Sequence, residues 1–329
     1  MPRNRVPFGV SYGQYCHRPE SLKGGTAMSN FRKIKKILKS KPTIEGAGVH
    51  LKRAFGFNQV PLLDPFLLLD DFHSDNPPDY IKGFPWHPHR GIETITYMLH
   101  GEVEHGDSMG NKGVIHPGDV QWMTAGSGII HQEMPKGQKE GLMWGFQLWA
   151  NLPASHKMME PRYRDVRSDQ IPETTLAKEV KVRVICGEVN GVKGPVRDIM
   201  IDPEYLDVTI PQKSNLKYPV KKGHTAFAYI IDGQGYFDEG RDSYAYEAEG
   251  ANYFDFKREC LIGPENLVIY GDGTGVLIST ENKQVRFLFI SGKPIQEPVA
   301  WYGPIVMNTQ EELRVAFEEY QNGTFIKHK

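Results

Sequence analysis

Short runs of β-branched and aromatic residues recur along the chain from Gly46 onward, and glycines and prolines separate them. Their length and spacing predict an all-β sandwich or barrel. Long helical patterns do not alternate with these runs, which disfavours a Rossmann-type fold. In the first half the pattern predicts strands at residues 47–53, 66–71, 92–99, 119–123, 128–133 and 143–150. In the second half it predicts strands at residues 180–187, 205–210, 225–231, 251–255, 267–270, 275–280 and 285–290.

A helix is predicted near the C-terminus, where Leu313, Phe317 and Tyr320 follow one another at helical spacing. Thr309 is suited to be its N-cap, and Glu312 completes a capping box. We expect its apolar stripe to pack against a barrel rather than against a partner.

Residues 31–41, FRKIKKILKSK, are basic, and their apolar positions are spaced like one face of a helical turn. A nucleic-acid or membrane contact would use this charge. A solvated edge or a short helix before the first strand is the favoured interpretation.

Residues 1–43 are predicted to form a leader that is disordered in part, and Met28 offers a second plausible start. The first residues lack the apolar stretch of a signal peptide. We therefore expect a cytoplasmic protein, or a nuclear one if its source is a eukaryote.

A weak internal repeat relates the two halves. Residues 94–101 resemble residues 226–233, and residues 128–131 resemble residues 275–278. Self-similarity of this kind indicates a duplicated β unit. Across a linker of mixed polarity we predict two domains, at residues 44–165 and 166–329, of which the second ends in the helix.

Composition and charge reduce the number of function classes that suit this chain. The 39 basic and 40 acidic residues among 329 leave a formal charge of −1, without the basic excess that direct nucleic-acid binding requires. No apolar run approaches the length of a membrane span. The glycine-rich residues 271–275 precede no helix that could bind a phosphate, so they are interpreted as a turn.

Two pairs of residues carry candidate metal chemistry: His87 with His89, and His131 with Glu133. Residues two apart in a strand share a face, with Cα atoms roughly 6.6 Å apart. Two adjacent antiparallel strands would therefore bring all four side chains around one divalent ion. Three imidazole nitrogens and one carboxylate suit Fe(II), Mn(II), Ni(II), Cu(II) or Zn(II), and leave positions open for a substrate.

Glu93 would share the face of His87 and His89 in a regular strand. We expect it to accept a hydrogen bond that orients a histidine rather than to act as a fifth ligand.

Further histidines at turns or strand ends are expected to face solvent: His100, His105 and His116. Large apolar residues are expected either at the mouth of a cavity or in the barrel core: Phe84, Trp86, Trp122, Met123, Met134 and Met143.

The segments FPWHPHRGIETITYMLHGEVEH and HPGDVQWMTAGSGIIHQEMP resemble the pirin family, bicupins of the cupin superfamily. Residues 83–101 fit the first cupin motif. The second motif lacks the usual proline and its histidine comes later, as in pirins. The resemblance is strong at residues 44–150, resumes near 285–325, and is loose between them.

The resemblance implies two tandem jelly-roll-like cupin barrels and a short C-terminal helix. It places the family's metal ligands on His87, His89, His131 and Glu133, implies iron, and implies a second domain without metal. The internal repeat agrees on the last point, because it aligns the four ligand positions with poor metal ligands: Pro219, Lys221, Ile278 and Thr280.

Some pirins open flavonols with O2, so the resemblance implies a quercetin 2,3-dioxygenase. In that reaction Glu133 would be the base that removes the flavonol's hydroxyl proton, and ring opening would release carbon monoxide. The alternative is a non-enzymatic, iron-dependent redox sensor that binds a protein partner, either as a transcriptional coregulator or as a modulator of a metabolic enzyme. We expect a monomer with one metal ion per chain.

Overall fold

The computed structural model describes residues 30–136, 141–249 and 259–328. The leader before residue 30 and the predicted strand at 251–255 lie outside the described residues. Within the described residues, no helix has the length and apolar character that crossing a bilayer requires.

The first half of the chain builds a barrel from a seven-stranded and a four-stranded sheet. Its strands are β2 (Lys41–Glu45), β3 (Val49–Phe55), β4 (Phe66–Ser74), β5 (Phe84–His89), β6 (Ile92–His100), β7 (Glu102–Asp107), β8 (Lys112–Ile115), β9 (Val120–Thr124), β10 (Ile129–Lys136), β11 (Met143–Asn151) and β12 (Arg162–Val166). The larger sheet has the order β12-β9-β6-β11-β4-β3-β2 and the smaller β5-β10-β7-β8.

The second half repeats this architecture around an eight-stranded sheet. Its strands are β13 (Glu173–Leu176), β14 (Val180–Cys186), β15 (Glu188–Val189), β16 (Val192–Lys193), β17 (Glu204–Ile210), β18 (Asn215–Pro219), β19 (Thr225–Gly233), β20 (Glu247–Glu249), β21 (Asn266–Tyr270), β22 (Gly275–Ser279), β23 (Val285–Gly292), β24 (Ala300–Tyr302) and β25 (Ile305–Met307). The order of the sheet is β13-β14-β17-β23-β19-β21-β1-β20, with β1 at Ile34–Lys39. The prediction of two all-β barrels is confirmed.

The basic segment 31–41 contains strand β1 rather than a helical turn, and it belongs to the sheet of the second half. β1 pairs antiparallel with β21, and its apolar residues Ile34, Ile37 and Leu38 are buried. Lys36 forms ion pairs with acidic residues of β20. Tertiary pairing overrides the helical spacing here, because pairing with β21 buries the apolar residues of β1 in the core of the second sheet.

The C-terminal segment leaves the second half of the chain and packs on the first barrel. The backbone N–H of Val306 on β25 donates to the carbonyl of Arg90, 3.1 Å away. Gly91 has a φ of +77°, and a Cβ there would lie 2.0 Å from the Val306 carbonyl oxygen, so the contact requires glycine. Strand β1, near the N-terminus, thus belongs to the sheet of the second half, and β25, near the C-terminus, packs on the first barrel. The domain boundaries given from the sequence remain predictions.

The predicted C-terminal helix is confirmed as α1 (Gln310–Gln321). The Thr309 side chain accepts from the Glu312 backbone N–H, and the Glu312 side chain accepts from the Thr309 backbone N–H, so the capping box is present. Leu313 and Ala316 are buried in a cluster with Phe325. The helix therefore uses its apolar stripe for packing within the chain.

A shared core joins the two barrels, and two tyrosines cross it reciprocally. Tyr97 on β6 donates to Asp207 on β17 over 2.7 Å, and Tyr229 on β19 donates to Asp71 on β4 over 2.8 Å. Both tyrosines occupy the same place in the predicted internal repeat. The exchange fits two duplicated units packed face to face.

Candidate metal centre

Strands β5 and β10 bring the two predicted ligand pairs together. They are antiparallel, with His131 opposite His87 and Ile129 opposite His89. A register shift between His131 and Glu133 marks a local irregularity in β10. His89 and His131 are 3% and 0% exposed, so two of the three rings are removed from solvent.

The three histidine side chains converge on one point. The Nε2 atoms of His87 and His89 lie 3.1 Å apart, and the ring centroids of His87 and His131 are separated by 4.4 Å. One ligand nitrogen from each of the three rings falls within 4.8 Å of the others. This spacing allows all three to reach a common ion.

Backbone carbonyls select the tautomers of two rings. The Nδ1 of His87 lies 2.8 Å from the carbonyl oxygen of Pro85, and the Nδ1 of His89 lies 3.0 Å from that of Pro304. A carbonyl only accepts, so each Nδ1 carries the proton and each Nε2 presents a lone pair. Two lone pairs 3.1 Å apart repel each other, and a cation between them would remove that repulsion.

The third ring, His131, has no hydrogen-bond partner at either nitrogen among the described residues, although both atoms are buried. A buried polar atom without a partner is costly, and metal coordination would satisfy one of them. Burial, together with His89, His87 and His105, lowers the pKa of His131 well below its ordinary value. Burial and the neighbouring His87 do the same to the pKa of His89. Neutral imidazoles are the form that binds metal, so the residues present fit a divalent ion.

Glu133 lies at the edge of this cluster. Its carboxylate is held by Thr96, whose Oγ1 donates to Glu133 Oε1 over 3.0 Å. The same Oγ1 lies 2.7 Å from Gln147 Oε1. One hydroxyl has one proton, so if it goes to Glu133 the Gln147 amide must turn its N–H₂ toward Thr96. The three histidines form a ligand group by distance, and Glu133 stands beside them on the cavity wall.

Glu93 is not where the sequence placed it. Its Oε1 accepts from Thr124 over 2.7 Å, and no described hydrogen bond joins it to the three histidines. The turn at Arg90 and Gly91 interrupts the strand after His89, which breaks the expected alternation. Glu93 and Thr96 therefore lie on opposite faces of β6. No described contact supports the role of Glu93 in orienting a histidine, which remains a prediction. Burial raises its pKa above the ordinary value.

His105 is also corrected. Its side chain is fully buried, 3.4 Å from Asp107, and its ring stacks on Tyr163. Burial raises the pKa of Asp107, but hydrogen bonds from His105 and Asn111 bring it below its usual value. Strand β7 was missed in the sequence, so the inward position of His105 was missed too. His100 and His116 are exposed, as predicted.

A cavity of about 750 Å³ opens onto His87, His89 and Glu133. Phe84, Trp86 and Met143 line it, as predicted for a cavity mouth. The other three residues of that prediction are not part of its wall: Trp122, Met123 and Met134. Trp122 and Met123 are buried in core clusters instead.

The C-terminal hairpin of β24 and β25 completes the wall with Trp301, Tyr302, Gly303 and Pro304. No local sequence pattern indicates that these residues belong to the site. The only signal was the family resemblance, which resumes near residue 285. Strand pairing between the hairpin and Arg90 cannot be read from local patterns.

Among the described residues, the two strands of the second barrel that match β5 and β10 carry no equivalent ligand set. If β22 corresponds to β10, its partner β18 corresponds to β5, and Ile278 lies opposite Leu216 while Val276 lies opposite Tyr218. The counterparts of His87 and His89 are then Leu216 and Tyr218 instead of the predicted Pro219 and Lys221. Tyr218 donates its hydroxyl to Glu204 over 2.9 Å. These residues favour a second domain without metal, which remains a prediction.

Comparisons with known proteins agree with this fold. The pirin family model matches residues 48–150, and the model of the pirin C-terminal cupin domain matches residues 205–326. The chain is 42% identical to a pirin-like protein of Caulobacter vibrioides over 295 residues, which are 89% of this chain and 99% of that protein. It is 39% identical over 300 residues to a Pseudomonas aeruginosa protein named provisionally as a quercetin 2,3-dioxygenase, covering 90% of this chain and 99% of that one.

A solved structure gives the same picture. The quercetin 2,3-dioxygenase from Acinetobacter baumannii superposes with a TM-score of 0.78 at 29% identity, covering 90% of this chain and 98% of that chain. Two cupin barrels, the histidine cluster of the first and sequence identity along most of the chain lead to one conclusion: this chain belongs to the pirin family.

Proposed function

We propose that the chain is a metal-dependent dioxygenase of the quercetin 2,3-dioxygenase type, which opens a flavonol ring with O2. The observation that carries this proposal is the aromatic-walled cavity of about 750 Å³ beside His87, His89 and Glu133. A concave site with mostly apolar walls and a few convergent polar groups suits a planar aromatic substrate. The names of the relatives from Pseudomonas aeruginosa and Acinetobacter baumannii support the same activity.

In this proposal the Nε2 atoms of His87, His89 and His131 hold the ion, and the Glu133 carboxylate is the fourth ligand. Fe(II) is the proposed ion, from the family resemblance; Mn, Ni, Cu and Zn suit the same donors. A bound ion would supply Lewis-acid and redox chemistry for O2 and for the oxygen atoms of a flavonol. The chain has to orient the substrate and move one proton.

Glu133 is the proposed base. Thr96 donates to its Oε1 and so fixes the orientation of the carboxylate. The remaining oxygen, Oε2, would hold the ion and, when it loosens from the ion, would take the hydroxyl proton. Glu133 lines the cavity together with His89, so a substrate bound there meets the metal ligands and the base on one side. The aromatic walls limit the access of water to the reacting groups.

The test loads the protein with Fe(II) without oxygen, adds quercetin, admits air, and follows the loss of visible absorbance and the release of carbon monoxide. We expect turnover in the wild type, none after chelation, and none in Glu133→Gln that still contains metal. Glu104→Gln is the matched control, because Glu104 lies on the neighbouring strand opposite Met134 and its side chain is half exposed.

No turnover with Fe, Mn, Ni, Cu or Zn would overturn the proposal. It would favour the regulatory alternative, in which the ion tunes a surface that binds a protein partner.

A further inference from the structure

A row of four polar side chains crosses the wall of the cavity. The four residues lie opposite one another on neighbouring strands. Thr96 on β6 is opposite Gln147 on β11, Gln147 is opposite Asp70 on β4, and Asp70 is opposite Arg53 on β3. All four residues line the cavity that opens onto His87, His89 and Glu133. Glu133 contacts Thr96, so the row begins at the metal centre and leads away from it.

The far end of the row is a charged cluster. Arg53 donates through Nε to Asp70 Oδ1 over 2.8 Å and through Nη2 to Asp70 Oδ2 over 2.7 Å. Its Nη1 lies 2.9 Å from Glu45 Oε1, and Glu45 also lines the cavity. Asp70 is 5% exposed, whereas the side chain of Arg53 is 26% exposed and open to the cavity.

These groups contrast with the surrounding wall. Large apolar and aromatic residues make up much of it: Leu51, Leu68, Phe72, Phe84, Trp149 and Trp301. Burying a bidentate ion pair in such a wall costs desolvation energy, and its contribution to folding stability is small. A few polar groups in an apolar pocket usually fix the orientation of a ligand.

The row spans the length of an extended aromatic ligand. Adjacent strands lie about 4.8 Å apart, so three strand steps separate Thr96 from Arg53 by about 14 Å. No side-chain hydrogen bond among the described residues joins Gln147 to Asp70, so the row consists of two separate polar groups. The first group belongs to the metal end, and the second lies where the remote end of a ligand would reach.

We propose that Arg53, Asp70 and Glu45 form a subsite that selects aromatic substrates carrying hydroxyl groups on the ring remote from the metal. This inference rests on the proposed function, because that function places the reacting end of the substrate at the metal. Two carboxylates and one guanidinium give the cluster a formal charge of −1. The carboxylates accept from phenolic hydroxyls and the guanidinium donates to them, whereas a ligand carboxylate would be repelled.

The test measures binding without turnover. Metal-loaded protein is titrated in the absence of oxygen with two flavonols that differ only in the remote ring, one carrying two adjacent hydroxyls and the other none. Tryptophan fluorescence reports occupancy, since Trp86, Trp149 and Trp301 line the cavity. We expect the wild type to bind the hydroxylated compound about 10- to 100-fold more tightly, as for hydrogen bonds to charged groups.

The decisive variant is the double substitution Arg53→Leu with Asp70→Leu, because removing both partners leaves no unpaired buried charge. We expect it to keep its metal, to bind the unhydroxylated compound at least as tightly as the wild type does, and to lose the preference. Gln147→Leu is a second variant at the near end of the row, and should keep the preference. Lys52→Leu is the matched control, since Lys52 neighbours Arg53 on β3 and pairs with Glu265.

Equal affinity for both compounds in the wild type, no binding of either, or an unchanged preference in the double variant would overturn the inference. Turnover does not enter this measurement. A preference that disappears in the double variant supports the subsite even if no metal yields dioxygenase activity, and that result would contradict the proposed function alone.

Discussion

The Nδ1 atom of His89 lies 3.0 Å from the carbonyl oxygen of Pro304, a residue 215 positions later in the chain. This contact sets the tautomer of a ligand candidate in the first barrel by means of a hairpin from the C-terminal segment. The position of the C-terminal segment is therefore coupled to the orientation of His89, and so to the metal affinity of the site. The coupling can be tested without changing any proposed ligand.

Arg90 provides that test, because it follows His89 directly and holds the C-terminal segment in place. It lies 2.8 Å from Glu319 through Nη1, donates to the Phe325 carbonyl through Nη2 over 2.9 Å, and covers the Phe325 ring. Arg90→Lys cannot make all three contacts. We expect the metal affinity to fall about tenfold, as for other residues that orient metal ligands.

Competition with a coloured chelator measures this affinity. Arg314→Lys on the exposed face of α1 is the control and should leave the affinity unchanged. An unchanged affinity in Arg90→Lys, combined with faster proteolysis of the C-terminal segment, would show that the segment does not orient His89.

The reciprocal tyrosines predict an asymmetric effect on stability. Among the hydrogen bonds of the described residues, Asp207 keeps two from Arg286 when Tyr97 is changed, whereas Asp71 keeps one, from Trp144, when Tyr229 is changed. We therefore expect Tyr229→Phe to lower the free energy of unfolding by about 1–3 kcal/mol and Tyr97→Phe to lower it less. Urea unfolding measures both, with the exposed Tyr302→Phe as the control. A larger loss in Tyr97→Phe would contradict the account.

Asp71 also predicts a pH dependence. Burial raises its pKa to about 6, although hydrogen bonds from Tyr229 and Trp144 oppose the shift. A carboxyl whose folded pKa exceeds its unfolded pKa stabilises the fold below about pH 4, and this contribution is lost as the pH rises through 6. Relative to Asp71→Asn, the unfolding free energy of the wild type should fall by up to about 3 kcal/mol from pH 4 to 7.

Urea unfolding of chelator-treated protein at several pH values checks this slope. The exposed Asp75→Asn should run parallel to the wild type. A constant difference between the wild type and Asp71→Asn across the range would mean that Asp71 does not titrate as described.

Local sequence patterns predicted a large part of this architecture. The strands of the central sheets, the cap of α1 and the spacing of His87, His89 and His131 follow from alternation, from capping chemistry and from turn residues. These features depend on neighbours a few positions away. A single sequence is therefore enough to predict them.

The errors share a long-range cause. The spacing of apolar residues in β1 predicts a helical turn, but the segment forms a strand because it pairs with β21. Glu93 is expected on the face of His87 and His89, but the turn at Gly91 interrupts the alternation. Val306, from the far end of the chain, packs closely against that turn. Pro304 could not be assigned to the metal centre from local patterns, since only the folded chain brings it to His89.

The measurement that tests the central claim most directly is the metal content of the purified protein after loading with Fe(II) without oxygen and removal of free metal. We predict one ion per chain in the wild type, almost none in His89→Ala or His131→Ala, and an unchanged content in the exposed control His100→Ala. Absence of metal from the wild type, or a full complement in a folded His131→Ala variant, would contradict the account.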